Sequence, residues 1–250
     1  MIKKEIPDTI VVNCEIGSGK WDSMFMDISH QIKLLVQCIN QHKITTHGYI
    51  GVGHSQGAYL MRALLEEFNH EMAPMVRFIS LSGPQGGFFC GVQSKCWGKQ
   101  LPRLVQKLIF LLEYSRIIQV NIAPSQYWRN PYKLKAFTKN ARSLPFIDNQ
   151  RRYNQQRKIN FMSVDKIILF GGETDETISP WQSAFLGYGK LILTQKQNCI
   201  MNGIYTKMIH LGQNLWLNKI GLFLKLQHYF MVNMLQMNSL YYRDLCHIYE

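Results

Sequence analysis

Long apolar runs are missing from this chain, and their absence sets the first boundary. No stretch approaches the roughly 20 consecutive apolar residues needed to span a bilayer, so no transmembrane segment is expected. The opening residues, Met1-Ile2-Lys3-Lys4-Glu5-Ile6-Pro7, contain no apolar h-region, so the chain as written carries no signal peptide. No two cysteines stand in CxxC spacing, which removes the common zinc arrangements. No metal and no cofactor is expected. Acids are scarce as well, with 16 Asp and Glu against 28 Lys and Arg. Between Arg129 and Lys158 the basic residues include Lys133, Lys135, Lys139, Arg142, Arg151, Arg152 and Arg157, and Asp148 is the lone acid. No nucleic-acid-binding motif accompanies them, so nucleic acid is not an expected partner. The stretch reads as a solvated basic face, with peripheral contact to an anionic membrane as the second reading.

What is present describes an α/β protein of one domain, a size consistent with 250 residues. Thr9-Ile10-Val11-Val12 is a β-branched run that reads as a strand. Asp27 precedes Ile28, Ile32, Leu35, Val36 and Ile39, the spacing of a helix capped by Asp27. Gly48 to Val52 reads as a buried strand, Ala58 to Phe68 as a helix, and Met75 to Leu81 as a third strand. Leu101 to Ile118 is an apolar helical stretch outside the sheet, and Lys166 to Phe170 is a fourth strand ending in Gly171-Gly172. Strands alternating with helices imply a parallel sheet covered on both faces. There is no internal repeat and no low-complexity linker.

One motif carries chemistry. Gly53-His54-Ser55-Gln56-Gly57 follows a strand and opens a helix, the context of a nucleophile elbow. The serine of such an elbow sits on a sharp turn that lifts its hydroxyl above the sheet. Glycines on either side remove Cβ atoms that would collide there. The backbone N–H of Gln56, at the helix N-terminus, can donate to an oxyanion. A serine nucleophile needs a base, and the base an orienting acid, in the chain order Ser, Asp or Glu, His. Glu173, Asp175 and Glu176 all follow the fourth strand, and pattern alone does not choose among them. Of the six cysteines, Cys14, Cys38, Cys90, Cys96, Cys199 and Cys246, the pair Cys90 and Cys96 is close enough to close a short disulfide loop. Spacing leaves two free thiols equally allowed.

At these residues the chain resembles the palmitoyl-protein thioesterases. Gly53-His54-Ser55-Gln56-Gly57 is similar to the family's G-x-S-Q-G elbow, and Ser82-Gly83-Pro84-Gln85-Gly86-Gly87 to the segment after the next strand. Gln126-Tyr127-Trp128-Arg129-Asn130-Pro131 resembles its Tyr-Trp-x-[Asp/Asn]-Pro stretch, and Phe146 to Gln150 its Leu-x-x-Ile-Asn region. Gly171-Gly172 through Ser179-Pro180-Trp181-Gln182-Ser183 resembles its acid loop. The resemblance covers about residues 1 to 190. It implies an α/β-hydrolase fold, mostly parallel with helices on both faces and a helical insert. Asp175 is the member of the carboxylate trio that takes the acid's place, and Cys90–Cys96 falls at a family disulfide. The implied activity is hydrolysis of long-chain acyl thioesters, with S-palmitoylated proteins or acyl-CoA as substrates and a lysosomal or secretory location. The segment Leu101 to Ile118 belongs to the insert that shapes the acyl-chain groove.

Several features depart from that pattern. The chain starts after the family's first strand and its His-Gly loop, the source of a second oxyanion donor. After Asp175 it offers His210, His228 and His247. His228 is nearest the expected spacing, but Leu226-Gln227-His228-Tyr229 does not resemble the family's histidine loop. Back-translation of Lys207 to Gly212 from the last base of the lysine codon admits Asp-Asp-Thr-Phe-Gly, a family-like segment. In that frame the codons of Asn233 and Met234 encode histidine or tyrosine. The expectation is a hydrolase unit over 1–206 and a tail over 207–250 that is not native to the fold. Cys38 stands where the family has a half-cystine, while Phe68 occupies its partner's approximate place, and no Asn-x-Ser/Thr sequon is present. Alternatives of other kinds are an inactive or truncated lipid-binding relative and a lipase or esterase acting on oxygen esters.

Overall fold

The computed structural model describes residues 2–42, 48–90, 102–172, 175, 177–186 and 205–211. Its helices are α1 (Ile2–Glu5), α2 (Lys20–Phe25), α3 (Ile28–Gln41), α4 (Gln56–Phe68), α5 (Arg103–Leu112), α6 (Arg116–Asn121), α7 (Leu134–Asn140), α8 (Leu144–Ile147) and α9 (Gln155–Met162). Its strands are β1 (Tyr49–His54), β2 (Met75–Leu81), β3 (Lys166–Gly172) and β4 (Tyr205–Leu211). The four strands lie in chain order in one sheet, and every pairing is parallel. The expected α/β class with a parallel sheet is therefore the observed one.

The register explains which side chains form the core. Gly51, Phe78 and Ile167 stand side by side, as do Gly53, Ser80 and Leu169. Aligned residues of a parallel sheet point to the same face. This face is the buried one, where α4 packs on β1 and β2 and is flanked by α3 and α9. Gly53 in β1 lets the helix come close, and Gly51 makes room for the Met75 side chain of β2. A Cβ on Gly53 would lie 2.4 Å from Ala58 Cα, and one on Gly51 would lie 2.6 Å from Met75 Sδ. Tyr59, Ala63, Leu64 and Leu65 of α4 are wholly buried against Ile28, Ile32, Leu35 and Ile39 of α3 and the strand residues. Asp27 caps α3 as its spacing predicts, accepting from Ser29 N at 2.9 Å.

Four expectations change. Thr9–Val12 forms no strand, and Ile10 is 90% exposed. A β-branched run becomes a strand only beside an edge that takes its hydrogen bonds, and no described strand pairs with it. This segment is held instead by a disulfide from Cys14 to Cys38 on α3. Cys38 thus has a partner, in a different place from the one the family pattern indicates. β1 forms, but it is not buried on both faces, since Ile50 and Val52 are 43% and 41% exposed. The apolar stretch 101–118 divides into α5 and α6, because Ser115 caps a new helix by accepting from Ile118 N. The basic stretch is not uniformly solvated either. Arg157 is buried, pairs with Glu67 at 2.6 Å and lies over the Phe146 ring.

Candidate active site

The elbow is built by the junction of β1 and α4. Ser55 follows His54, the last residue of β1, and is the N-cap of α4. Its φ of 51° and ψ of −127° place a non-glycine residue in a strained region that L side chains rarely adopt. Two contacts hold it there. Ser55 N donates to Leu81 O at 2.9 Å, extending the β1–β2 ladder, and Ser55 O accepts from Ala58 N at 3.0 Å, starting the helix. The two flanking glycines differ in need. Gly53 has backbone against it, whereas nothing lies within 4 Å of a Cβ on Gly57. The turn therefore requires the first glycine sterically and not the second. Ser55 is half-buried, within reach of solvent. Gln56 is the first residue of α4, so its N–H has no acceptor within the helix.

The Gln56 side chain is the anchor of the site. Its Oε1 accepts from Tyr127 Oη at 2.7 Å, and its Nε2 donates to Ser23 O at 2.8 Å and to Gln31 Oε1 at 2.9 Å. One amide thereby ties α4 to α2, to α3 and to the turn Ala123–Tyr127. Tyr127 is buried, packs at a tilt against the Tyr59 and Phe88 rings, and has its phenol pushed above the usual range by burial. Gln31 in turn donates to Met26 O at 2.7 Å. Sequence reading named Gln56 for its backbone and missed Gln31, a polar residue within the apolar stripe of α3. That misplaced polarity is the signal that could have found it.

The Tyr-Trp-x-Asn-Pro stretch has a second task. Trp128 Nε1 and Asn130 Nδ2 donate to the two oxygens of buried Glu113 at 2.7 and 2.9 Å, and Lys133 lies 3.4 Å from it. The loop after β2 joins the same unit, since Phe88 N donates to Tyr127 O and Arg129 N to Phe88 O. Beneath that loop, Arg62 of α4 donates to Gln85 O at 2.6 Å and pairs with Glu66 and Asp148, each at 2.7 Å. Burial outweighs the ion pair at Glu66 and, with Asp148 near, pushes its carboxyl up to about 7. Asp27 goes the other way. Its partial burial favours the neutral form, but hydrogen bonds from Ser29 and Gln126 and the Arg142 cation together hold it below the usual carboxylate range.

Asp175 lies just beyond β3, at the same C-terminal edge of the sheet as Ser55. β2 separates the two strands, a gap of about 10 Å at the usual strand spacing. Asp175 Oδ1 accepts from Thr177 N and Ile178 N, both at 2.9 Å, which fixes the carboxylate on its loop. Among the described residues nothing donates to its other oxygen. Glu173 and Glu176 lie outside the described residues, as do His228, His247 and Cys96. The backbone of His210 stands in β4 opposite Gly171. Cys90 is disulfide-bonded.

A family model described as palmitoyl protein thioesterase matches residues 1–214. Palmitoyl-protein thioesterase 3 of Dictyostelium discoideum is 28% identical over 190 residues, 75% of this chain and 62% of that protein. The lysosomal thioesterase PPT2 homolog of Drosophila melanogaster is 31% identical over 185 residues, 73% of this chain and 62% of its own length. This chain thus spans less than two thirds of the length of these relatives. Among solved structures, a lipase-esterase related protein from Clostridium acetobutylicum matches at 16% identity and a TM-score of 0.43, covering 91% of this chain and 86% of its own.

Proposed function

This chain belongs to the palmitoyl protein thioesterase family, and on that premise we propose that it hydrolyses long-chain acyl thioesters with Ser55 as nucleophile and Asp175 as the acid of a Ser-Asp-His triad. The observation that carries the reading is Ser55 itself. A serine at positive φ between a strand and a helix costs on the order of 1–3 kcal/mol, and such strain is concentrated where a side chain must be presented. Ser55 Oγ attacks the carbonyl carbon, and the C–S bond breaks. The thiol leaves with the proton taken from Ser55 by the base, and water then releases the fatty acid from the acyl-enzyme. Gln56 N–H donates to the oxyanion. Asp175 offers the base a fixed carboxylate whose second oxygen has no donor among the described residues. The base is a histidine after Asp175, and His228 has the spacing nearest to that expected.

The substrate class proposed is S-palmitoylated protein or acyl-CoA, and the location lysosomal, in line with the names of the relatives. The test is turnover of a palmitoyl thioester and its matched oxygen ester by the full-length protein and by Ser55→Ala and Asp175→Asn. The expected result is preference for the thioester and a loss of about 10⁴-fold or more in Ser55→Ala. Undiminished turnover in that variant, or acyl binding without turnover in the parent, defeats the proposal. Preference for the oxygen ester assigns the protein to the lipases and esterases.

A further inference from the structure

The helical insert presents an apolar surface that the other described residues leave exposed. On α5, Leu104 and Leu111 are 70% and 74% exposed with Leu108 between them, and on α6 Ile117 is 75% exposed. Positions 104, 108 and 111 recur at the spacing of one helix face. The opposite side of the helix meets the rest of the fold at a few points. Ile109 packs on the core, Glu113 just beyond α5 is buried, and Lys133 lies over the Phe110 ring. α5 is therefore held along one side and exposed along the rest, with Val105, Phe110 and Leu112 at 39%, 43% and 43%. It has 10 residues, half of the roughly 20 needed to cross a bilayer, and among the described residues no helix is long and apolar enough to cross one.

Charge along this part of the chain is largely of one sign, although Arg129 and Arg142 pair with Asp148 and Asp27. Residues 101–147 hold eight Lys and Arg and a single acid, Glu113. That acid is buried and bound by Trp128, Asn130 and Lys133, so none of its charge is presented to solvent. Lys107 stands within the apolar stripe and Arg116 begins α6, both exposed. Neither takes part in an ion pair among the described residues. Exposed leucines interleaved with unpaired cations are the composition of a helix that lies in the interface plane of a bilayer. The apolar side chains enter the acyl boundary, and the cations reach the headgroups.

We propose that α5 and α6 form a docking surface for an anionic lipid bilayer. The headgroup charge complements the unpaired cations, and the exposed leucines supply the apolar face that enters the acyl boundary. Trp21 and Phe25, exposed and stacked at 5.7 Å on α2, flank Ser23, whose carbonyl receives Gln56 Nε2. The elbow and an exposed aromatic pair are thus neighbours. Docking depends on none of the elbow's chemistry.

The experiment is flotation of the full-length protein with phosphatidylcholine vesicles, with and without phosphatidylserine. Binding is expected to the anionic vesicles and to fall as salt rises. Lys107→Glu/Arg116→Glu is expected to weaken partition by roughly thirty-fold or more, at about five-fold per cation removed, and Leu104→Glu/Leu111→Glu by roughly a hundred-fold or more, at about ten-fold per leucine lost from the acyl boundary. All four residues are exposed, and an unchanged thermal midpoint shows that each variant is folded. Ser55→Ala is expected to bind as the parent does, so failure of docking and failure of the thioesterase reading are separate results. Equal binding to both vesicle types, or full binding by either double variant, overturns the proposal. So does a parent that ignores vesicles and self-associates through this face, with Leu104→Glu/Leu111→Glu monomeric.

Discussion

Tyr127→Phe tests whether the Gln56 amide is held by the phenol or merely sits beside it. The substitution removes one oxygen and keeps the ring that packs at a tilt against Tyr59 at 4.9 Å and Phe88 at 5.5 Å. What it takes away is the donor to Gln56 Oε1, a bond of 2.7 Å in a part-buried setting. An acceptor left without its donor costs about 1–2 kcal/mol in such a place. For a domain of this size that corresponds to a fall in melting temperature of roughly 3–6 °C. The assay is thermal and urea unfolding of Tyr127→Phe, Gln56→Leu and the double variant. Removing both polar partners leaves less unsatisfied than removing one, so the single costs are expected not to add, with a coupling of about 1 kcal/mol. An unchanged midpoint in Tyr127→Phe, or costs that add within error, would refute the claim that this bond fastens the elbow to the insert.

The other predictions concern the same neighbourhood. Gly53→Ala is expected to cost about 3 kcal/mol, because its Cβ meets Ala58 backbone at 2.4 Å. Gly57→Ala is expected to be neutral or stabilising by up to about 1 kcal/mol, and chemical denaturation of the pair separates the two. For Glu66, the folded carboxyl is held up to about 7 against an ordinary 4.5, so the folded state binds the extra proton between those values. Stability therefore falls as pH rises through that window, by on the order of 3 kcal/mol. Glu66→Gln is expected to flatten this slope, and an unaltered pH profile of the unfolding midpoint would count against it. Cys14→Ser opens a loop closed across a sequence separation of 24, and the expected loss is about 3 kcal/mol, read as a lower urea midpoint under non-reducing conditions.

The legible parts of this protein were those whose cause is local. Asp27 caps α3 because its own side chain reaches Ser29 N, and the helix stripe from Ile28 to Ile39 is one face of a single element. The elbow was legible because its geometry demands glycine at 53 for a turn made within five residues. The run Thr9–Val12 misled for the opposite reason. Its β-branched residues favour extended backbone, but a strand is a relation to a neighbour, and no described strand stands beside it. The stretch 101–118 reads as one apolar helix until Ser115, a cap whose effect outweighs the hydrophobic run.

By itself, the sequence determined the alternation of strands and helices, the position of the strained serine and the order in which that serine and a carboxylate-bearing loop follow their strands. These are consequences of periodicity, capping and turn sterics, all short in range. Only the tertiary structure decided that Gln56 is gripped by Tyr127, Gln31 and Ser23, that Cys14 meets Cys38, and that Arg62 shares two carboxylates beneath Gln85. It also decided that Leu104, Leu108 and Leu111 of α5 face outward. Each of these joins residues far apart in the chain or sets a helix on its axis. Packing chooses among such arrangements, and no local pattern encodes the choice.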